Sequence, residues 1–246
     1  MAGRILALVA ALVAIWTSPA AAGETTVAVA ANFTEPAKEI AAAFTAATGH
    51  KANLSFGSSG QFLTQITRGA PYEVFLSADA ERPQKAEQAG LGVAGTRFTY
   101  AVGRLVLYSK TPNLASAGAL KAGKFEKLAI ADPATAPYGE AALETMKRMG
   151  LYEQLKPKVV TGSSITQAYQ FVATGAAELG FVALSQVVDE TGGSRWLVPA
   201  GQHAPIEQQA ILLETGRDSA AARAFLAFLK GPKAKAVIRR YGYEVR

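Results

Sequence analysis

The 246 residues contain no cysteine, so no disulfide can brace this fold and no thiol is available for lipid attachment. Histidine is scarce as well, with His50 and His203 the only two. Without Cys and with two isolated His, the chain offers no ligand set for a transition-metal cation. The spacings Ser-x-x-Lys, Gly-x-Ser-x-Gly and His-Glu-x-x-His are missing, and so is a complete phosphate-binding Gly-x-x-x-x-Gly-Lys-Ser/Thr, since Phe125 follows the Gly118–Lys124 spacing. Basic residues outnumber acidic ones, giving a net charge of +6, yet no stretch gathers this excess into a stripe for nucleic acid. Lys230 to Arg240 is the densest run, and it reads as the solvated outer face of a helix. Long apolar runs are lacking too: Ile5 to Trp16 falls short of the roughly 20 residues that a membrane span needs.

That short run has a different meaning. It follows the basic start Met1-Ala2-Gly3-Arg4 and leads through Thr17-Ser18-Pro19 to Ala20-Ala21-Ala22. A basic start, an apolar stretch and a small-residue site make a secretory signal peptide, residues 1–22, with cleavage expected after Ala22. No twin-arginine pair precedes the apolar stretch, so export of an unfolded chain by general secretion is expected. The expected product is a free periplasmic protein of roughly 220 residues, large enough to bury a core without staples. Loss of Arg4 with the leader leaves a charge of about +5, a mild field that would draw an anion toward a cleft.

From Thr25 onward, short apolar runs alternate with amphipathic ones. Strands are expected at Thr26–Ala30, Ala52–Phe56, Glu73–Ser77, Leu128–Ala131, Lys158–Val160 and Leu179–Ala183. Helices are expected from Asn32 to near Gly49, after Gly60, at Glu81–Ala89, Tyr138–Met149 and Ile165–Thr174, with two more at Ser219–Leu229 and Pro232–Tyr241. Asn32, with Glu35 three residues on, resembles a helix cap and capping box. Arg97 to Ser109 is β-rich on both sides of Gly103; at about 13 residues it exceeds the usual strand and reads as a crossing between two domains. Glu207–Leu213 is the expected return crossing. Repeated strand–helix units argue for α/β architecture: two parallel sheets flanked by helices and joined by two crossing strands. The expected division is lobe I, residues 23–102 and 206–246, and lobe II, residues 103–205. The last two helices are expected to pack on lobe I.

Four turns at strand ends carry the chemistry: Ala31-Asn32-Phe33, Gly57-Ser58-Ser59-Gly60, Ala136-Pro137-Tyr138-Gly139 and Gly162-Ser163-Ser164-Ile165. Each would present backbone N–H groups at the positive end of a helix dipole. None contains a charged residue or histidine. In open α/β sheets ligands sit at the carboxyl ends of strands, and two of these turns fall in each expected lobe. Taken singly, Asn32, Ser58 and Ser59 read as capping or turn residues and Tyr138 as part of a helix start; the case rests on their joint placement. Asp79 and Asp132 read as turn or cap carboxylates. Phosphate keeps a proton at neutral pH and is well served by an acceptor, whereas sulfate, molybdate and tungstate only accept. A site made of donors alone therefore suits a fully deprotonated oxyanion.

With those turns in view, the chain resembles the periplasmic molybdate-binding proteins of ABC importers over nearly all of its length after the leader. The carriers are Ala30-Ala31-Asn32-Phe33, Ser55–Gly60, Gly69–Asp79, Ala131-Asp132-Pro133 with Ala136–Gly139, Glu178–Ala183 and Phe228–Pro232. The resemblance implies a type II periplasmic binding protein, not an enzyme, that closes on one tetrahedral oxyanion and delivers it to a membrane permease. It implies ligand contacts at Asn32, Ser59, Tyr138 and Ile165, the last two mainly through backbone N–H groups, with Ala31 and Ser58 as weaker candidates. It also implies molybdate or tungstate as transported ligand, no cofactor, no direct protein–metal bond and a monomer. At Asn32, Tyr138 and Ala183 the chain departs from the commoner pattern of Ser, Ala and a donating Tyr. Sulfate or thiosulfate transport is the first alternative. A serine hydrolase using Ser58 or Ser59 is the second.

Overall fold

The computed structural model describes residues 22–245. The expected leader therefore lies, apart from Ala22, outside the described residues. In chain order the elements are β1 (Glu24–Ala30), a 3-10 turn (Ala31–Phe33), α1 (Thr34–Thr48), β2 (Lys51–Gly57), α2 (Ser59–Thr67), β3 (Val74–Leu76), α3 (Glu81–Gln88), β4 (Phe98–Gly103) and β5 (Leu105–Ser109). Then come α4 (Ala117–Ala122), β6 (Leu128–Ala131), α5 (Pro137–Arg148), α6 (Tyr152–Leu155), β7 (Val159–Gly162), α7 (Ile165–Ala173), β8 (Leu179–Ala183), α8 (Leu184–Val187) and β9 (Ser194–Leu197). The chain closes with β10 (Ile206–Leu212), α9 (Ala220–Leu229) and α10 (Pro232–Arg240).

These strands form two five-stranded sheets of matching plan. The first has the order β2-β1-β3-β10-β4 and the second β7-β6-β8-β5-β9. In each, the second strand (β1 or β6) runs parallel to both neighbours, and the fourth (β10 or β5) runs antiparallel to the strands on either side of it. The sheets are thus mixed and not purely parallel. The crossing strands cause this: a chain entering one sheet straight from the other has no crossover helix to reverse it, and it pairs antiparallel.

The Arg97–Ser109 crossing divides at Arg104, with β4 paired to β10 in the first sheet and β5 to β8 and β9 in the second. The return differs from expectation. β10 lies wholly within the first sheet, and residues 198–205 between β9 and β10 carry the chain back. The edge strand β9 was not expected from the sequence; its Ser194 and Trp196 are half-buried and its other residues exposed, so no apolar run marks it.

Burial follows the period of two along each strand. On one face of the first sheet, Val27, Val29, Val74, Leu76, Ala210 and Leu212 pack with α1, α9 and α10. On the other, Ala28, Phe75 and Ile211 meet Phe62 and Ile66 of α2. The stripe of Ala37, Ile40 and Phe44 sets the buried face of α1. Phe44 meets Phe225 of α9 edge-to-face at 5.3 Å, which locks the C-terminal helices onto the sheet formed by the N-terminal residues. The second sheet has its own continuous core, with Leu105, Leu107, Leu128 and Phe181 fully buried.

Phe225 has no exposed surface. Phe225→Ala is expected to lower unfolding stability by about 3–5 kcal/mol. Urea titration checks this: the midpoint should fall while its slope is unchanged.

Candidate functional site

The matching sheets place the four turns at matching positions. Two follow β1 and β6, and two follow their parallel edge neighbours β2 and β7. All four converge on one cavity. Its walls are Ala30, Ala31, Asn32, Gly57, Ser58, Ser59, Ala78, Ala136, Pro137, Tyr138 and Ile165. Every site residue singled out from the sequence lines it: Asn32, Ser59, Tyr138 and Ile165, and also Ala31 and Ser58. No residue with an ionisable side chain other than the Tyr138 phenol is among them.

The donors can be accounted for one by one. Ser58 caps α2, its Oγ accepting from the Gln61 N–H at 3.4 Å. Ser59 is the first helical residue; its Oγ accepts from the Ala78 N–H at 2.9 Å, which leaves its own hydroxyl proton to donate. Ala136 precedes α5 and Pro137 occupies its first turn, where a missing N–H has no consequence. The Tyr138 N–H that follows has no protein acceptor among the described residues. Ser164 caps α7 by accepting from the Gln167 N–H at 3.3 Å, and Ile165 opens that helix. Ser163 faces away; its N–H donates to Gln167 Oε1 at 2.6 Å.

Asn32 is not the helix cap that its position suggested. The 3-10 turn moves the start of α1 to Thr34, so Phe33 holds the cap position with no side-chain bond. Glu35 pairs with Lys38 and forms no capping box. The Asn32 side chain instead enters a buried neutral network, donating through Nδ2 to Gln208 Oε1 and to the Tyr243 hydroxyl, both at 2.9 Å. With both amide protons engaged, the backbone N–H is the donor that Asn32 has left for the cavity.

That network is the part of the site that sequence reasoning missed. Gln208 of β10 is fully buried; its Nε2 donates to the Tyr138 hydroxyl at 3.2 Å and its Oε1 accepts from Tyr100 at 3.0 Å. Ser185 of the second lobe donates to the Asn32 carbonyl at 2.8 Å, and the Tyr243 hydroxyl lies 2.9 Å from Ser185 Oγ. The Tyr138 ring can enter because residue 103 is glycine, where a Cβ would sit 2.1 Å from its hydroxyl. A glutamine inside the buried strand Ile206–Leu212 was the available signal. Burial pushes the Tyr100 and Tyr138 phenols well above their ordinary value and raises Tyr243 to about 12, where bonds from Ser185 and Asn32 offset part of the effect.

The remaining candidates take structural roles. Asp79 accepts from the Arg82 N–H at 3.0 Å and pairs with its guanidinium. Asp132 accepts from the Ala134 N–H at 3.0 Å. His50 accepts from the Gly23 N–H at 2.8 Å, and His203 lies against the Ala204 carbonyl. Neither histidine lines the cavity. Among the described residues no group of acidic, His or Cys side chains could hold a metal ion, and no helix is long and apolar enough to cross a membrane.

Comparison with known proteins agrees with this architecture. Residues 25–244 match the family described as bacterial extracellular solute-binding protein. The molybdate-binding protein ModA of Rhodobacter capsulatus is 60% identical over 226 residues, which is 92% of this chain and 90% of that protein. ModA of Azotobacter vinelandii is 55% identical over 229 residues, 91% of each chain. The solved Azotobacter vinelandii periplasmic molybdate-binding protein superposes with a TM-score of 0.87 at 39% identity, covering 90% of this chain and 99% of that one. The sulfate-binding protein SubI of Mycobacterium tuberculosis, with a TM-score of 0.73 and 16% identity over 91% of this chain and 87% of its own, shares the fold alone.

The buried phenols set an alkaline limit on stability. Their folded values lie above the unfolded one, so the protonated forms support folding fully below about pH 10. Stability is lost as pH rises from there through about 12, the value for Tyr243. Urea midpoints measured from pH 8 to 12 should stay level and then fall; Tyr243→Phe should make that fall shallower, because one fewer buried phenol ionises on unfolding.

Proposed function

The chain belongs to the bacterial extracellular solute-binding protein family, and from that membership we propose that it captures molybdate in the cavity between its lobes and delivers it to the permease of an ABC importer. The observation that carries this reading is the cavity wall, which joins helix starts from both sheets and holds no charged side chain. A fully deprotonated oxyanion needs donors on every oxygen and is repelled by a carboxylate. The backbone N–H groups of Asn32, Ser59, Tyr138 and Ile165 and the Ser59 hydroxyl are the proposed donors, with Ala31 and Ser58 in weaker roles. The metal reaches the protein only as its oxyanion. No protein atom bonds to it, and no cofactor takes part.

Tungstate matches molybdate in size and charge, so this cage accepts both. Sulfate is smaller, and a cage sized for molybdate leaves its hydrogen bonds long. Hydrolysis at Ser58 or Ser59 is disfavoured because neither histidine is near to serve as base and the Ser59 oxygen already accepts a backbone bond. The reading includes lobe I as residues 23–102 with 206–246, lobe II as 103–205, a monomer, and a periplasmic location after removal of residues 1–22. The strand membership of the two sheets supports that division.

Millimolar molybdate or tungstate should raise the melting temperature strongly, by roughly 4 kcal/mol of stabilisation when free ligand is about a thousand times Kd. Phosphate should leave it unchanged; an equal shift with phosphate overturns the donor-only argument. By calorimetry, Ser59→Ala should weaken molybdate binding by about 1.5–3 kcal/mol, the worth of a hydrogen bond to a charged group. Ser163→Ala should have a smaller effect, because that residue shapes its turn and does not line the cavity.

A further inference from the structure

Beside the cavity, a second set of bonds joins the lobes without using any proposed ligand donor. Gly60 follows Ser59 in the first turn of α2, and its N–H donates to the Thr135 carbonyl of the other lobe at 2.8 Å. Arg82 of α3 donates through Nη2 to the neighbouring Ala134 carbonyl at 3.3 Å. Both ends are braced. Asp79 pairs with the Arg82 guanidinium and accepts from the Ser77 hydroxyl at 3.0 Å, and the Arg82 and Asp79 side chains are only 12% and 18% exposed. On the receiving loop, the Asp132 carboxylate accepts from the Ala134 N–H at 3.0 Å and the Thr135 hydroxyl at 3.3 Å. That loop runs directly into Ala136, Pro137 and Tyr138 of the cavity wall.

We infer that Gly60 and Arg82 are a closure latch: positioning residues that capture the 134–135 carbonyls when the lobes shut on the anion and so set how long it stays bound. The inference rests on the reading of this cavity as an oxyanion site. Glycine is needed at position 60 by the other lobe, not by its own helix. A Cβ there would lie 2.9 Å from both the Thr135 Cα and its carbonyl oxygen, and 3.3 Å from Arg82 Nε. The first two are backbone atoms that no rotamer change can move. The φ of Gly60 is not positive, so this helical backbone accepts alanine, the better helix former, once the Arg82 side chain gives by a few tenths of an ångström within lobe I. Folding and closing can therefore be separated by one methyl group.

The test uses the full chain with molybdate as probe. Without molybdate, Gly60→Ala should melt at or above the parent temperature. Its Kd should be at least about tenfold weaker, through faster dissociation and not slower association. Arg82→Gln, which loses one interlobe bond, should be weakened about three- to tenfold in the same direction. If the parent chain binds no oxyanion, the functional reading fails whatever the variants do. If the parent binds and Gly60→Ala matches its Kd and dissociation rate, the latch is overturned while the binding reading stands. Should Gly60→Ala fail to fold, Arg82→Gln decides by the same two criteria.

Discussion

On the proposed function, holding a dianion without a countercharge is the constraint on which this structure depends. Removing such an ion from water is costly unless every oxygen gains a donor in place of its water shell. A Lys or Arg would repay that cost cheaply, yet none lines the cavity. The chain uses helix starts instead, where unpaired N–H groups and the helix dipole favour negative charge. One helix start offers two or three donors on one side of an ion. Surrounding a tetrahedral ion takes several, arriving from different directions, and this requirement explains two sheets of the same plan facing one another.

Precision then depends on what holds the turns. Ser58 and Ser164 tie up the third N–H of α2 and α7, so the first is free for the cavity. The Asn32 turn is held by Gln208 and Tyr243 within lobe I and by Ser185 from lobe II. Because these groups are neutral and mutually bonded, they aim the Asn32 peptide without bringing charge to the site. The same network crosses between the lobes through Tyr138 and Ser185, so the geometry of the site and the closure of the lobes are fixed by shared bonds.

Much of this was legible in the sequence, for identifiable reasons. Strands such as Leu128–Ala131 and Leu179–Ala183 are buried on both faces and read as continuous apolar runs. The turns were legible because each couples a strand end to a helix start, and strand ends in open sheets are where ligands sit. Asn32 was misread as a cap because the 3-10 turn, which moves the cap position of α1 one residue on to Phe33, leaves no mark on the local pattern. Its true partners, Gln208 and Tyr243, lie 176 and 211 residues away in the chain, beyond any local pattern. The antiparallel insertion of β5 and β10 was hidden for a related reason: a buried strand has the same composition in either direction.

The central claim is that the anion is held as a fully deprotonated ion by groups that do not titrate near neutrality. Calorimetric titration of molybdate at pH 7.5, in buffers of differing ionisation heat, counts the protons exchanged on binding. The account predicts none, because neither the ion nor the cavity wall changes protonation. Uptake or release of about one proton per ion bound would contradict it, since a titrating group would then have to face the anion.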